Sequence, residues 1–488
     1  MGEINYQQTA QNRRIPFVDS QIVMSQIESF TEFAENAQEK PAEKSDRMKQ
    51  AVKDMTPLKG KTALVVDSAL ATRRALQDQL SQLGAKTVIF ASSVSEVEQH
   101  LSSREFALIV CEYQLEGDRN GQQLLEDLRV NKKLNWTTAF MMVTGERSYS
   151  NVVAVAEFEP DDYLIKPFTA STLSDRVVRI FNRKARLAEA YKAAYDGQYL
   201  AVPEICEGLE IRFPQYLNEL ERMRIESFFW SGQLGKTEKE LLDKIERAPK
   251  PWMHLLLAKV NLEKKDFEEA GGLLATVVKT NPEYLAASDL YADVLWEQNK
   301  PGEALEVLEK MGAKALASTS RLRKLADLAV RIGDNTRSKN YLTKVIDRSR
   351  NTSLSQIHDY LQLSKIYVTE GRHEEAEKLT AKMRSTVNSA DLDLARAMMT
   401  IQKEIAEGRS VKALDKLTAF FDTHAEVIPA LEPETLTSLL ELCFAVNMGS
   451  KGYELASQIT RHKPSKAMLD RIRTSITMFK ENSLRNAE

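Results

Sequence analysis

Four short apolar runs in this chain each end on a polar or charged residue. Val65-Val66 runs into Asp67 and Ser68, Ile109-Val110-Cys111 into Glu112, Val143 into Thr144, and Tyr163-Leu164-Ile165 into Lys166. Together they supply two carboxylates, two hydroxyls and one ammonium. Such a set makes ion pairs and charge-assisted hydrogen bonds wherever a fold brings it together.

The elements that would have to position these residues are legible in the hydrophobic pattern. Strands are predicted at 63–66, 87–90, 106–111, 139–143 and 163–165, and helices at 69–83, 94–101, 121–130 and 171–184. Continuous apolar strands separated by helices predict a five-stranded parallel sheet covered on both faces, a doubly wound α/β domain over residues 58–184. Sites in such sheets form at the carboxyl ends of the strands, which is where the polar set falls.

Val65-Val66-Asp67-Ser68, Ile109-Val110-Cys111-Glu112-Tyr113, Val143-Thr144-Gly145 and Tyr163-Leu164-Ile165-Lys166-Pro167-Phe168 give this domain its resemblance to the receiver domain of bacterial response regulators. The resemblance implies a phosphoacceptor aspartate at the end of the third strand and a magnesium ion on acidic residues after the first. It also implies that Lys166 pairs with phosphoryl oxygens, that Thr144 hydrogen-bonds the product, and that Tyr163 is the aromatic whose rotamer follows the threonine. Two positions depart from that pattern. Glu112 stands in the acceptor slot, and Ser68 replaces the usual direct metal ligand, leaving Asp67 as the one carboxylate after the first strand. In-line transfer is sensitive to misplacements of about 1 Å, and a magnesium site depends on hard carboxylate oxygens. Ordinary phosphorylation is therefore not expected, nor is a cofactor, with a weak magnesium site on Asp67 as the fallback. Two readings of Glu112 stay open: a Glu112–Lys166 ion pair that locks an active-like state, since glutamate reaches further towards Lys166 and Thr144 than the aspartate it replaces, or an inert site on a rigid docking surface. Glu116 and Asp118, in the following loop, are candidate substitute ligands.

Beyond Lys184 the strand signal ends and the chain is helix-periodic. Small residues recur at Ala270, Ala304, Ser338, Ala376, Ala413 and Ala456. Five positions before each stands a polar or turn residue: Lys265, Asn299, Gly333, Gly371, Gly408 and Lys451. Helix pairs at such a period stack into a solenoid, since no pair buries its own apolar face alone. On Ala258, Phe267, Ala270, Leu274 and Pro282, then Ala292, Ala304 and Leu308, the stretch resembles tetratricopeptide repeats, assigned to residues 251–488. Residues 185–250 are read as degenerate helix pairs, with Gly197-Gln198-Tyr199 and Gly235 as turns.

Residues 1–57 are polar apart from one amphipathic stretch, Ile22, Val23, Ile27, Phe30 and Phe33, at helical spacing. Packing on the chain's own domains, docking to a partner and a dimer contact are its three readings.

Composition limits function. The 488 residues carry a net charge of −3, with no basic domain that would recruit nucleic acid. The three cysteines, Cys111, Cys206 and Cys443, and the six histidines, His100, His254, His358, His373, His424 and His462, show no metal spacing. There is no Gly-rich phosphate loop, nucleophile elbow, secretion-signal pattern or membrane-spanning run. The expectation is a cytoplasmic signalling adaptor rather than an enzyme, one that binds other proteins or peptides through the receiver face and a repeat groove. The alternative is a genuine two-component response regulator, in which phosphorylation or metal binding switches the repeat output.

Overall fold

A computed structural model describes residues 56–117, 119–131, 133–145, 158, 160–282, 284–312, 316, 318–350, 354–383, 389–461, 464 and 466–485. The stretch around Ile22–Phe33, Asp118 and His462 lie outside them. The chain divides into two compact units. One runs up to Lys264 and takes in 276–286, and the other holds 265–275 and everything from Ala287.

In the first unit, β1 (Thr62–Val66), β2 (Thr87–Ala91), β3 (Leu108–Cys111), β4 (Ala139–Thr144) and β5 (Asp162–Ile165) form one parallel sheet in the order β2-β1-β3-β4-β5. α1 (Leu70–Gln82), α2 (Val94–Ser103), α3 (Gly121–Val130) and α4 (Ala170–Arg186) accompany it. Because side chains alternate along a strand, the apolar runs feed two cores. Leu64, Ile109, Cys111, Phe140 and Tyr163 pack with Leu124 and Leu128 of α3. Val65, Val110, Met141 and Leu164 pack with Leu76 and Leu80 of α1 and with Leu173 and Val177 of α4. This is the doubly wound sheet expected from the sequence.

The chain passes from α4 directly into α5 (Ala188–Tyr195), α6 (Val202–Arg212), α7 (Leu217–Trp230), α8 (Leu234–Arg247) and α9 (Pro251–Glu263). Asp161 and Asp162, at the start of β5, bind Arg176, Arg179, Arg183 and Lys184 of α4. On α5, Tyr191 donates its hydroxyl to Glu219 of α7.

After α10 (Phe267–Thr280), the second unit contains α11 (Leu285–Glu297), α12 (Pro301–Glu309), α13 (Thr319–Arg331), α14 (Asn335–Ser349) and α15 (Ile357–Thr369). It continues with α16 (His373–Met383), α17 (Ser389–Ala406), α18 (Ser410–Thr423), α19 (Pro433–Ala445), α20 (Gly449–Arg461) and α21 (Lys466–Arg485). Lys265, Asn299, Gly333, Gly371 and Gly408 all have positive φ, as does Asn447. At Gly333 the N–H groups of 333 and 334 bond back to Val330 and Ala329. The same pair of bonds closes the turns at Asn299, Gly371, Gly408 and Asn447, and this is the left-handed helix stop that satisfies orphan carbonyls.

Five of the six expected turn residues therefore sit where the sequence put them, and the sixth needs correction. Lys451 lies inside α20, and the turn is at Asn447. Five residues on stands Gly452, not Ala456, and a Cβ there would come within 2.7 Å of the Phe444 ring. Gly235 likewise lies inside α8, and the left-handed residue is Gly232. Gly197 and Gly232 close the same two bonds. The turns thus run from Gly197 through Gly232, Lys265, Asn299, Gly333, Gly371 and Gly408 to Asn447, at intervals of 33 to 39 residues. Among the described residues no helix is long and apolar enough to cross a membrane.

Candidate functional site at the strand ends

Strand register brings the polar residues together. Val66 is level with Cys111, Cys111 with Met142, and Thr144 with Ile165. Each ladder then continues by one bond past the strand. Asp67 N–H donates to Ala91 C=O (3.1 Å), Glu112 N–H to Val66 C=O (2.8 Å) and Lys166 N–H to Thr144 C=O (2.7 Å). Asp67 and Glu112 therefore leave the sheet on neighbouring strands at its carboxyl edge, and Lys166 leaves it at the same edge across β4.

Their side chains close on one another. Lys166 Nζ lies 2.7 Å from Asp67 Oδ2 and 2.5 Å from Glu112 Oε2. The remaining carboxylate oxygens accept backbone donors, Asp67 Oδ1 from Ala69 N–H (2.8 Å) and Glu112 Oε1 from Tyr113 N–H (2.6 Å). Asp67 and Glu112 are 5% and 12% exposed and Lys166 26%, so the cation faces both anions with little water between them. Burial pulls the Lys166 pKa down, but the hydrogen bonds and charges of Asp67 and Glu112 outweigh it and hold the pKa above its ordinary value. Burial first, then the same two carboxylates, pushes the Cys111 thiol well up. Little of that thiol is thiolate, the form that acts as a nucleophile.

Asp67, Ser68, Glu112, Thr144 and Lys166 line one cleft of about 420 Å³, with Ala69, Thr72, Gln114 and Gly145 completing it. Tyr163 does not line the cleft. Its ring is buried in the core on the α3 side of the sheet. Glu116 is exposed, pairs through its backbone with Ser93, and stands outside the cleft lining.

Sequence reasoning missed two supports. Arg73 donates to Asp67 C=O at 2.9 Å, fixing the loop after β1. Gly121 opens α3 directly against Glu112, where a Cβ would come within 2.3 Å of the Glu112 carbonyl oxygen. The glycine at this position is a requirement of close approach. Its one sequence signal is a glycine opening a predicted helix in the loop after the third strand.

The donor set does not fit magnesium. Asp67 Oδ2 and Glu112 Oε2 are taken by the Lys166 ammonium and their other oxygens by backbone N–H groups, and Ser68 offers a neutral hydroxyl where hard cations favour carboxylate oxygen.

Comparison with known proteins agrees with this architecture. The response regulator receiver domain family matches residues 63–178, and the tetratricopeptide repeat family matches residues 261–328. The chemotaxis protein CheY-3 of Vibrio cholerae is 28% identical over 120 residues, covering 25% of this chain and 91% of that protein. The chemotaxis protein CheY of Pseudomonas aeruginosa is also 28% identical, over 25% of this chain and 95% of its own length. A CheY-like receiver domain protein of Methanospirillum hungatei is a structural neighbour at 25% identity and a TM-score of 0.24, covering 26% of this chain and 97% of its own. The chain carries a response regulator receiver domain and tetratricopeptide repeats, a combination that points to signalling through protein interaction.

Proposed function

We propose that this chain is an adaptor in two-component signalling whose receiver acts without a phosphorylation cycle. In this reading Glu112 occupies the acceptor position and serves as a permanent partner for Lys166. The observation that carries it is the Lys166 ammonium held between Asp67 and Glu112 at 2.7 and 2.5 Å. A phosphoryl group would supply Lys166 with a charged oxygen transiently, whereas the Glu112 carboxylate supplies one all the time. Charge-assisted bonds of this kind, largely out of water, are stronger than neutral ones.

The unit over residues 58–184 then serves as a docking surface with its site locked. The helix pairs of 185–250 extend it, and the repeats of 251–488 hold a second protein. Holding both raises the effective concentration of one partner for the other. No catalytic step, nucleic-acid contact or cofactor enters this reading, and its setting is the cytoplasm.

The test is incubation of the full chain with a small-molecule phosphodonor and magnesium, followed by intact mass and tryptophan fluorescence. An unchanged mass and unchanged emission are expected. A mass gain of one phosphoryl group would overturn the proposal in favour of a working switch.

A further inference from the structure

The last helix, α21, does more than close the final repeat. A capping helix needs to touch only the pair that precedes it. α21 does pack on that pair, through Phe479 against Phe444 and Tyr453. It also reaches back across the first helices of earlier pairs. Asp470 accepts from the Trp296 indole of α11 at 3.1 Å and lies 3.9 Å from Arg331 of α13. Arg471 bonds Glu441 of α19 at 2.6 Å and Ser438 at 3.1 Å, and comes within 3.5 Å of His358 on α15. One helix thus contacts α11, α13, α15 and α19, so the first helices of these pairs share one face and α21 lies along it.

That face carries charges of both signs, and Lys365 already holds Glu441 at 2.9 Å. Asp327, Asp359, Glu434 and Glu441 gather there with Arg323 and Lys365, and Arg471 enters from α21. Met468 and Ile472 are buried, and Ile476 and Phe479 half-buried, so positions 468, 472, 476 and 479 form one apolar stripe beside the arginine. A stripe at these intervals is how an amphipathic helix seats in a groove. The polar part of the contact is exchangeable, because a buried ion pair gains little net stability over its solvated parts.

We propose that α21 is an internal occupant of the repeat groove, and that the groove's partner is an amphipathic helix of the same design. That helix would carry an arginine for Glu441 and an apolar stripe in place of Met468, Ile472 and Ile476. The proposal rests on the reading of the repeats as a docking surface and names the ligand class of that surface. A partner helix must displace α21, so binding is gated by the chain's own C-terminal segment.

The experiment uses a labelled peptide of residues 466–485 titrated into the full chain and into the full-length R471E variant. Arg471→Glu sets α21 against Glu441 and leaves the groove unchanged. Binding to the variant is expected to be at least about tenfold tighter, a difference of about 1.4 kcal/mol. Equal binding to both chains would overturn self-occupancy and leave the docking surface standing. Binding to neither would overturn both. Hydrogen exchange on the unaltered chain is an independent measure should the variant fail to fold. Amides of α21 exchanging well ahead of those in α19 are expected, and exchange as slow as in α19 would make α21 a fixed part of the fold.

Discussion

The strand-end cleft and the repeat face are both built from carboxylates closed by cations, but the two are assembled in different ways. In the cleft, register places Asp67 and Glu112 on adjacent strands and Lys166 two strands further on, each one residue past its last ladder pair. In the repeats, the pairs bridge the first helices of successive helix pairs. Arg321 of α13 grips Asp289 of α11 through two bonds of 2.8 and 2.6 Å, and Arg323 grips Asp359 of α15 at 2.9 and 2.8 Å. A sheet concentrates chemistry at one edge, whereas a stack of helix pairs spreads it along a face. One substitution should therefore disable the cleft, while damage to the repeat face should remain near the repeat that is altered.

The largest expected effect tests that locality. The Arg321 side chain is 1% exposed and its partner Asp289 26%. Replacing Arg321 with alanine leaves a cavity and a carboxylate without its main counter-ion, which should cost about 3 kcal/mol. Because a chain of two units does not unfold as one transition, the check is hydrogen exchange resolved by peptide. Amides in α11 and α13 should exchange faster, while those in β1 and β3 keep their protection. Equal loss in the sheet would mean that the two regions do not respond separately.

The same contrast explains what could be read in advance. The strand ends were legible because apolar runs fix the phase of a strand and the polar residue that follows each run marks its carboxyl edge. The Glu112–Lys166 pair was among the readings because the receiver resemblance set both residues in one pocket and glutamate reaches further than aspartate. The second carboxylate on Lys166, Asp67, was not, since nothing in a linear pattern says that a lysine bridges two anions. Gly121 was hidden for a related reason. Its need for a bare Cα arises from a carbonyl nine residues earlier, folded back to within van der Waals distance. In the repeats, Lys265, Asn299, Gly333, Gly371 and Gly408 were legible through their fixed distance to a small residue. Following alanines past Gly408 led to Ala456 and Lys451, because the small residue of that pair is a glycine inside the helix, Gly452. The groove's occupant left no such trace, as Arg471 meets residues 30 to 113 positions away.

A smaller effect sharpens the cleft side of the comparison. Gly121→Ala forces the α3 backbone and the Glu112 carbonyl apart, an overpacking cost of about 2 kcal/mol. The added carbon would also stand 3.0 Å from Cys111 Sγ, so the shift should loosen the packing that keeps this thiol unreactive. Labelling with a thiol reagent and locating the label by peptide mass is the measurement. Cys111 should react faster in the variant while Cys443, in the repeats, keeps its rate. Unchanged labelling of Cys111 would mean that the loop after β3 yields without disturbing the site.

The smallest effect lies on the repeat face and has a defined sign. Burial, helped by Asp359 and Glu434 and opposed by Arg471 and Arg323, lifts the Asp327 carboxyl to about 7. Gln362 donates to it at 3.4 Å and also contacts His358. An unfolded aspartate titrates near 3.9, so between roughly pH 4 and 7 the folded chain holds more protons at this site than the unfolded one. Stability from Asp327 therefore falls as pH rises through that window. His358 acts in the opposite sense. Burial, together with Arg471, keeps its pKa well below the ordinary value, so its contribution is lost as pH falls below about 6.5. Burial raises Glu441 as well, but Arg471 and Lys365 outweigh it and hold it at about 2, so its loss comes below the window. Glu434 is raised too, chiefly by burial, and acts in the same sense as Asp327. Because these two groups oppose His358, the pH profile of the unaltered chain is a poor readout, and the difference from Asp327→Asn isolates one of them. The variant should show a shallower decline in urea midpoint of the repeat helices between pH 5 and 7 and keep any fall towards pH 4. A decline of the same slope in both chains would place the titrating group elsewhere. In the cleft, Lys166 stays charged across this range, so the receiver amides should show no counterpart to the change.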